Sequence, residues 1–527
     1  MTSTSTTRRK TRTSTPRVRT GCQTCRKRHI KCDETEPLCL KCAQAGWKCD
    51  GYVRRSSNLQ PSASDKSVAS TTLLESALSI TRYSLPFRIP GSQKDRQLLH
   101  YFCVQGSYEM AGYLSCDFWT RTVLQESYRE PVVRQALVSL SSLHLDYITL
   151  ATPRTEVARG ETLAQYGKAL RALGKHLEKP DMNATRTALI CCILFYCFEA
   201  TLGNDQAAMH HLQCGLNTLT SYRQVEGFHE TQDMSILSRV FERLDLQATL
   251  FDDGRVPNLV LTSDEDREIC TTNLGCVEAF SRLDDAYRSL IKLQNWLFHF
   301  LTKNTLYKPH EREAIPASVL QEKDHLMKQF NRWMVRFDNI RYQANQDDRE
   351  QCGIQTLLIH QQVSSMLLEA DYPADDSVFG ASPNPRAEEV LGLADNVLRL
   401  TRHEITLGKT AKNSCRNFSS DTGVVAPLFT LAMKCSDESV CLRATELLAT
   451  SQRREGLYDA QSMVAIIHQF RDARQQKRVR SEECRIEDAT TPSLETLFAD
   501  ELNKTTGGMD RKADFINSLP LATYPQN

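Results

Sequence analysis

Apolar side chains recur at helical spacing through most of the middle of the chain. Leu163, Tyr166, Leu170, Leu173 and Leu177 step by three and four residues, and Pro180 closes that run. Pro131 suits the first turn of a helix carrying Val133, Leu137 and Leu140, where a missing N–H is harmless. Similar spacing links Met209, Leu212 and Leu216, then Leu290, Leu293, Leu297 and Leu301, then Val390, Leu393, Val397 and Leu400. Strand-like alternation is scarce. Residues 93–480 therefore predict an all-α domain of packed helical hairpins, as one body or two lobes, large enough for a core of its own. Its most apolar window, ALICCILFYCF at 188–198, is too short to span a bilayer and reads as a buried core helix, so no membrane partner is expected. Cys191, Cys192 and Cys197 in it read as small core residues.

The flanks break this pattern. Residues 1–20 are mostly Thr, Ser and basic side chains (Arg8, Arg9, Lys10, Arg12, Arg17, Arg19) without an acid. They predict a disordered basic arm, for nuclear import or contacts to a nucleic-acid backbone. Neither a secretory apolar core nor the apolar face of a transit peptide is present in it. Residues 52–92 read as a linker, with the polar run SSNLQPSASDKSVAS. In that linker Leu73, Leu74, Leu78 and Ile80 give too few turns of apolar spacing for a coiled coil, so a homodimer would pair elsewhere. Near the other end, Arg471, Arg474, Lys477, Arg478 and Arg480 form a basic run, either a second import signal or a solvated helix end. Residues 481–527 then set Leu494, Leu497, Phe498 and Leu502 among acids, which suits either an activation segment that engages coactivators or a docked terminal helix.

Charge sharpens the division. Residues 1–55 carry fourteen Lys and Arg against four Asp and Glu, a net of +10, while the rest of the chain has a net of −9; the whole-chain value of +1 hides both. Only the front end suits a polyanion.

That front end also holds the chemistry. The stretch GCQTCRKRHIKCDETEPLCLKCAQAGWKCDG, residues 21–51, carries six of the nineteen cysteines: Cys22, Cys25, Cys32, Cys39, Cys42 and Cys49. The spacing C-x2-C-x6-C occurs twice, which implies a unit of approximate twofold symmetry. Paired thiolates suit tetrahedral zinc, with bonds of about 2.3 Å. Two such ions need eight bonds, so two of six thiolates must bridge, at equivalent places in the two halves. Disulfides would require an oxidising compartment. Between Cys25 and Cys32, Arg26, Lys27, Arg28, His29, Ile30 and Lys31 predict a short cationic helix. A two-zinc, six-thiolate cluster has a formal charge of −2, leaving residues 1–55 at about +8 and still in need of a partner. So small a unit cannot fold on apolar burial alone, with Ile30 and Trp47 its small core.

The cysteine spacing resembles that of the fungal binuclear zinc cluster transcription factors. The resemblance implies two Zn²⁺ ions, with bridges at Cys22 and Cys39: one ion takes Cys22, Cys25, Cys32 and Cys39, the other Cys39, Cys42, Cys49 and Cys22. Pro37 matches a proline that the family carries between the halves. It also implies double-stranded DNA as partner, through CGG-type triplets read by the end of the first helix, here Arg28 and His29. Arg28 can donate two bonds to guanine, whereas a neutral His29 has one donor and departs from the usual lysine or arginine. Arg26 counts among the expected DNA-binding residues, and Lys27, Lys31, Lys41 and Lys48 read as phosphate contacts. Two further stretches, at residues 96–147 (YFCVQGSYEMAGY, FWTRTVLQESYREPVVRQALVSLSSLH) and 453–474 (RREGLYDAQSMVAIIHQF), resemble the fungal transcription factor regulatory domain.

Enzyme motifs are not evident. Gly408, Lys409 and Thr410 lack the earlier glycine of a phosphate loop, where His403 stands. His210 and His211 are adjacent and face different sides of a helix, as do His403 and Glu404. The expectation is a non-enzymatic, nuclear, DNA-binding regulator of RNA polymerase II transcription, mainly α, with a small two-zinc module at 21–51 ahead of the helical domain. The resemblance extends to regulators of secondary-metabolite gene clusters; drug-resistance or nutrient-use genes, or a ligand-sensing scaffold, are the alternatives.

Overall fold

The computed structural model describes residues 21–35, 38–50, 90–114, 117–149, 156–178, 182–224, 231–252, 255–262, 279–308, 312–342, 347–408 and 416–483. The basic arm, Pro37, Pro180, the linker as far as residue 89 with its short apolar run, Lys409 and Thr410, and the acidic tail from residue 484 lie outside them. By its contacts the chain divides into a unit at residues 1–79 and another at residues 80–527.

The first unit contains α1 (Gln23–Lys27) and α2 (Leu40–Gln44). Each begins at a cysteine whose sulfur accepts a backbone N–H one turn on: Cys22 from Cys25 and Cys39 from Cys42. The cationic helix expected between Cys25 and Cys32 is displaced towards the N-terminus. It starts at Gln23 because Cys22 caps it, and it stops at Lys27 because His29 adopts a left-handed conformation, φ 57°.

The second unit is mainly helical. Ser92 and Asp95 form a reciprocal capping box for the helix Gln93–Tyr101. The helix Met182–Leu202 contains the predicted apolar window and extends past it. A 20-residue part of it is apolar enough to cross a membrane by length and composition, but 83% of its most apolar window is buried within the protein. It packs against Pro131–Thr149 and Asp205–Arg223. Gly215 lets Asp205–Arg223 lie close to the helix Gln232–Phe251, since a Cβ there would collide with the Phe241 ring; Cys192 of Met182–Leu202 would lie 3.2 Å from it. Cys191, Cys192 and Cys197 are all buried, and burial pushes the Cys192 thiol up to about 12, as suits a small core residue rather than a reactive thiolate. A second cluster gathers Asp348–Ala370, Pro385–Gly408, Val425–Lys434, Glu438–Ser451 and Ala460–Glu483. A third lies among Leu283–Lys303, Ala317–Arg341 and Asp348–Ala370, where Trp333 stacks on Phe337 at 4.5 Å.

One small sheet interrupts the helices. β1 (Asn417–Ser419) pairs parallel with β2 (Arg453–Glu455), which pairs antiparallel with β3 (Tyr458–Asp459). Strands this short leave no readable alternation, and β2 consists wholly of buried charged residues. Glu455 accepts the backbone N–H groups of Gly423, Val424 and Val425 at 2.8, 3.1 and 2.9 Å, where the helix Val425–Lys434 begins. Arg453 lies 3.3 Å from the same carboxylate and donates to the Tyr113 hydroxyl, while Arg454 donates to Asp205 at 2.9 Å. The turn after β1 adds Trp119 Nε1 donating to Ser420 Oγ at 2.9 Å and Ser420 N donating to the Met110 carbonyl at 2.9 Å. The two regulatory-domain stretches, some three hundred residues apart, thus meet at β1.

Candidate metal centre and nucleic-acid interface

The six cysteine sulfurs converge on the interior of the first unit. Two quartets, Cys22–Cys25–Cys32–Cys39 and Cys22–Cys39–Cys42–Cys49, each have their ligand atoms within 4.8 Å of one another, and they share Cys22 and Cys39. Sulfur separations of 3.5 Å (Cys25 to Cys39), 3.7 Å (Cys25 to Cys42) and 3.8 Å (Cys22 to Cys42) are far beyond a disulfide. The first and the last, each between two members of one quartet, match the edge of a tetrahedron built on zinc–sulfur bonds of about 2.3 Å, while Cys25 and Cys42 belong to different quartets. Burial pushes the Cys22, Cys25, Cys39 and Cys42 thiols up from their ordinary value, so a nearby cation is what would make them thiolates. The donor set fits two zinc ions.

Among the described residues of the unit, only Thr24 is buried besides those four cysteines. Ile30 and Trp47, expected as a small core, are 42% and 57% exposed. The reason is the way the helices end. In α1 the N–H of His29 reaches the Arg26 carbonyl and that of Ile30 reaches Cys25; in α2 the N–H of Gly46 reaches Ala43 and that of Trp47 reaches Cys42. Both are Schellman endings, with His29 (φ 57°) and Gly46 (φ 70°) in the left-handed position, and both turn the following residue away from the sulfurs. The halves are related by a shift of seventeen residues, which pairs Cys22 with Cys39, His29 with Gly46, and Ile30 with Trp47.

Three supporting residues escaped the sequence reading. Thr24 Oγ1 donates to the Lys48 carbonyl at 3.1 Å and accepts from Asp50 N at 2.9 Å, tying α1 to the end of the second half. Asp33 accepts from Thr35 Oγ1 at 2.7 Å and from Leu40 N at 2.9 Å, fixing the start of α2; the Thr35 bond is the main cause that holds its carboxyl down at about 2. Gly21 lets the chain pass Cys32, whose Cβ would lie 2.8 Å from any added Cβ. The seventeen-residue shift, applied to every position, was the available signal for His29 but not for these contacts.

The polar surface is cationic. Arg26, Lys27, His29, Lys31, Lys41 and Lys48 are exposed. Lys27 lies 3.5 Å from Asp50, an ion pair open to solvent. Arg28 is half-buried, with its guanidinium 4.8 Å from the centre of the Trp47 ring and its Nη1 shielded without a hydrogen-bond partner. Elsewhere, His211 is buried against the Tyr166 hydroxyl at 2.9 Å, and burial lowers its pKa to about 3, the behaviour of a core residue.

Comparison with known proteins agrees with this architecture. Residues 20–59 match the fungal Zn(2)-Cys(6) binuclear cluster domain, and residues 97–470 match the fungal specific transcription factor domain. The chain belongs to this family of fungal transcription factors, and its cluster implies two zinc ions and DNA binding. It is 23% identical to the aspercryptin biosynthesis cluster-specific transcription regulator of Emericella nidulans, across 84% of this chain and 85% of that one. It is 25% identical to the transcription regulator lscL of Purpureocillium lilacinum, across 65% of this chain and 85% of the other. A 44-residue stretch, 8% of this chain and 9% of the other, is 50% identical to the transcriptional regulatory protein moc3 of Schizosaccharomyces pombe.

Proposed function

We propose that this transcription factor acts in the nucleus on RNA polymerase II promoters and controls a fungal secondary-metabolite gene cluster. The observation that carries DNA recognition is an exposed cationic surface on a module whose buried side chains, among the described residues, are four cysteines and Thr24. In this reading Cys22, Cys25, Cys32, Cys39, Cys42 and Cys49 hold the two ions, with Cys22 and Cys39 bridging. Arg28 and His29 read bases of a CGG-type triplet, and Arg26, Lys27, Lys31, Lys41 and Lys48 hold phosphates, which position the module without specifying sequence. Residues 93–480 set its activity, the acidic tail at 481–527 recruits coactivators, and a homodimer pairs outside the linker. The pathway assignment is supported by the relative named for aspercryptin biosynthesis, whose similarity extends along most of both chains.

Genome-wide occupancy of the tagged full-length protein, with a Cys22→Ala control, tests the whole reading. The expected result is a set of peaks containing CGG triplets beside one compact group of co-regulated genes, absent from the control. Occupancy that survives Cys22→Ala would overturn targeting by the cluster. Unchanged transcripts of the neighbouring genes after deletion would overturn the pathway assignment alone.

A further inference from the structure

The two halves of the module share a backbone, but their side chains have diverged at the positions that end each helix. Arg28 precedes the left-handed residue in the first half, where the second half has Ala45. Ile30 follows it in the first half, where the second half has Trp47. Trp47 is a large aromatic residue left more than half exposed, and what it covers is the Arg28 guanidinium.

We propose that Trp47 is the positioning residue for Arg28, presenting its guanidinium to the base that it reads; this rests on Arg28 being a base contact. An arginine on a free stem must surrender several torsions when it docks two donors on one guanine edge. Here the ring holds the guanidinium before DNA arrives. The Nη1 of Arg28 is buried without a hydrogen-bond acceptor, so at that nitrogen no polar bond competes with the aromatic contact. Lys27, the neighbouring cation, is instead drawn to Asp50, so the two adjacent charges are oriented by different contacts from the same end of the second half. Trp47 would therefore govern sequence selectivity without touching a base itself.

The test uses full-length, zinc-loaded protein and two duplexes at one salt concentration: one recovered from a random pool by the wild type, and one unrelated. W47L should bind the selected duplex about three- to fivefold more weakly, the range expected for loss of an exposed cation–π contact. It should bind the unrelated duplex as the wild type does, and W47F should restore selectivity. In an R28A background W47L should have no further effect. Equal weakening on both duplexes, or none on either, overturns the proposal. If W47L loses zinc, W47M replaces it, being long and apolar without an aromatic face; zinc loss there too would make Trp47 a folding residue and overturn the proposal. R28A with unchanged selectivity would instead overturn the base-reading role of Arg28, which separates the two failures.

Discussion

Among the described residues of 21–50 the buried side chains are four cysteines and Thr24, whereas in the second unit one helix, Met182–Leu202, buries Leu189, Ile190, Ile193, Leu194, Phe195, Tyr196 and Phe198. Among its described residues the first unit gathers sulfur inside, where zinc would close it, and leaves nearly all other side chains at the surface. The second is closed by apolar contact, and the buried charge of Glu455 is met by three backbone N–H groups and Arg453. The difference teaches where each unit is vulnerable: one to chelation, the other to loss of packing or of a buried charge.

Metal removal should separate them most sharply. Structural zinc supplies about 10–16 kcal/mol in small metal-folded modules. A strong chelator should therefore abolish binding to the selected duplex while the helical far-ultraviolet circular dichroism signal is largely kept; binding that persists would mean that the sulfurs hold the fold unaided. Next in size is E455Q, which leaves Arg453 buried beside a neutral amide and should cost about 3–5 kcal/mol in the second unit. Thermal unfolding should show the loss while zinc content stays at two ions; an unchanged unfolding temperature would show that the three N–H contacts carry the interaction without the charge.

R28A comes third. It should remove about 1–3 kcal/mol from specific binding while K48A weakens both duplexes alike and lowers the salt slope by about one. Equal effects of R28A on both duplexes would make it another phosphate contact. The smallest change expected is from H29G, which relieves a left-handed side chain where the second half already has Gly46, and should stabilise the zinc-loaded module by up to about 1 kcal/mol. Titration with a weak chelator would read this. H29G should also weaken binding to the selected duplex more than to the unrelated one, since His29 is the second proposed base contact; unchanged selectivity would leave His29 a turn residue only.

The sequence was most legible where spacing carries the physics. Zinc bonding requires four thiolates at each ion, so a doubled C-x2-C-x6-C already names the six cysteines, and apolar periodicity places the helices at Pro131, Leu163 and Leu290 because each must bury one face. His29 was misjudged as helical because its neighbours are helix-compatible; only the repeat with Gly46 reveals a turn. Ile30 and Trp47, apolar residues expected inside, stand at the surface because the cysteines already occupy the interior.

What the chain alone determined is therefore local and periodic: the metal-binding spacing, the cationic front end and the succession of amphipathic helices. What only the tertiary structure decided is long-range. No pattern within RREGLYD says that Glu455 will receive the N–H groups of residues 423–425, and none within 110–119 says that Met110 and Trp119 will meet Ser420. Nor does the sequence set Trp47 over Arg28. Such contacts depend on how separate segments approach in space, and a buried charge or an exposed ring is stable only once its distant partner has arrived.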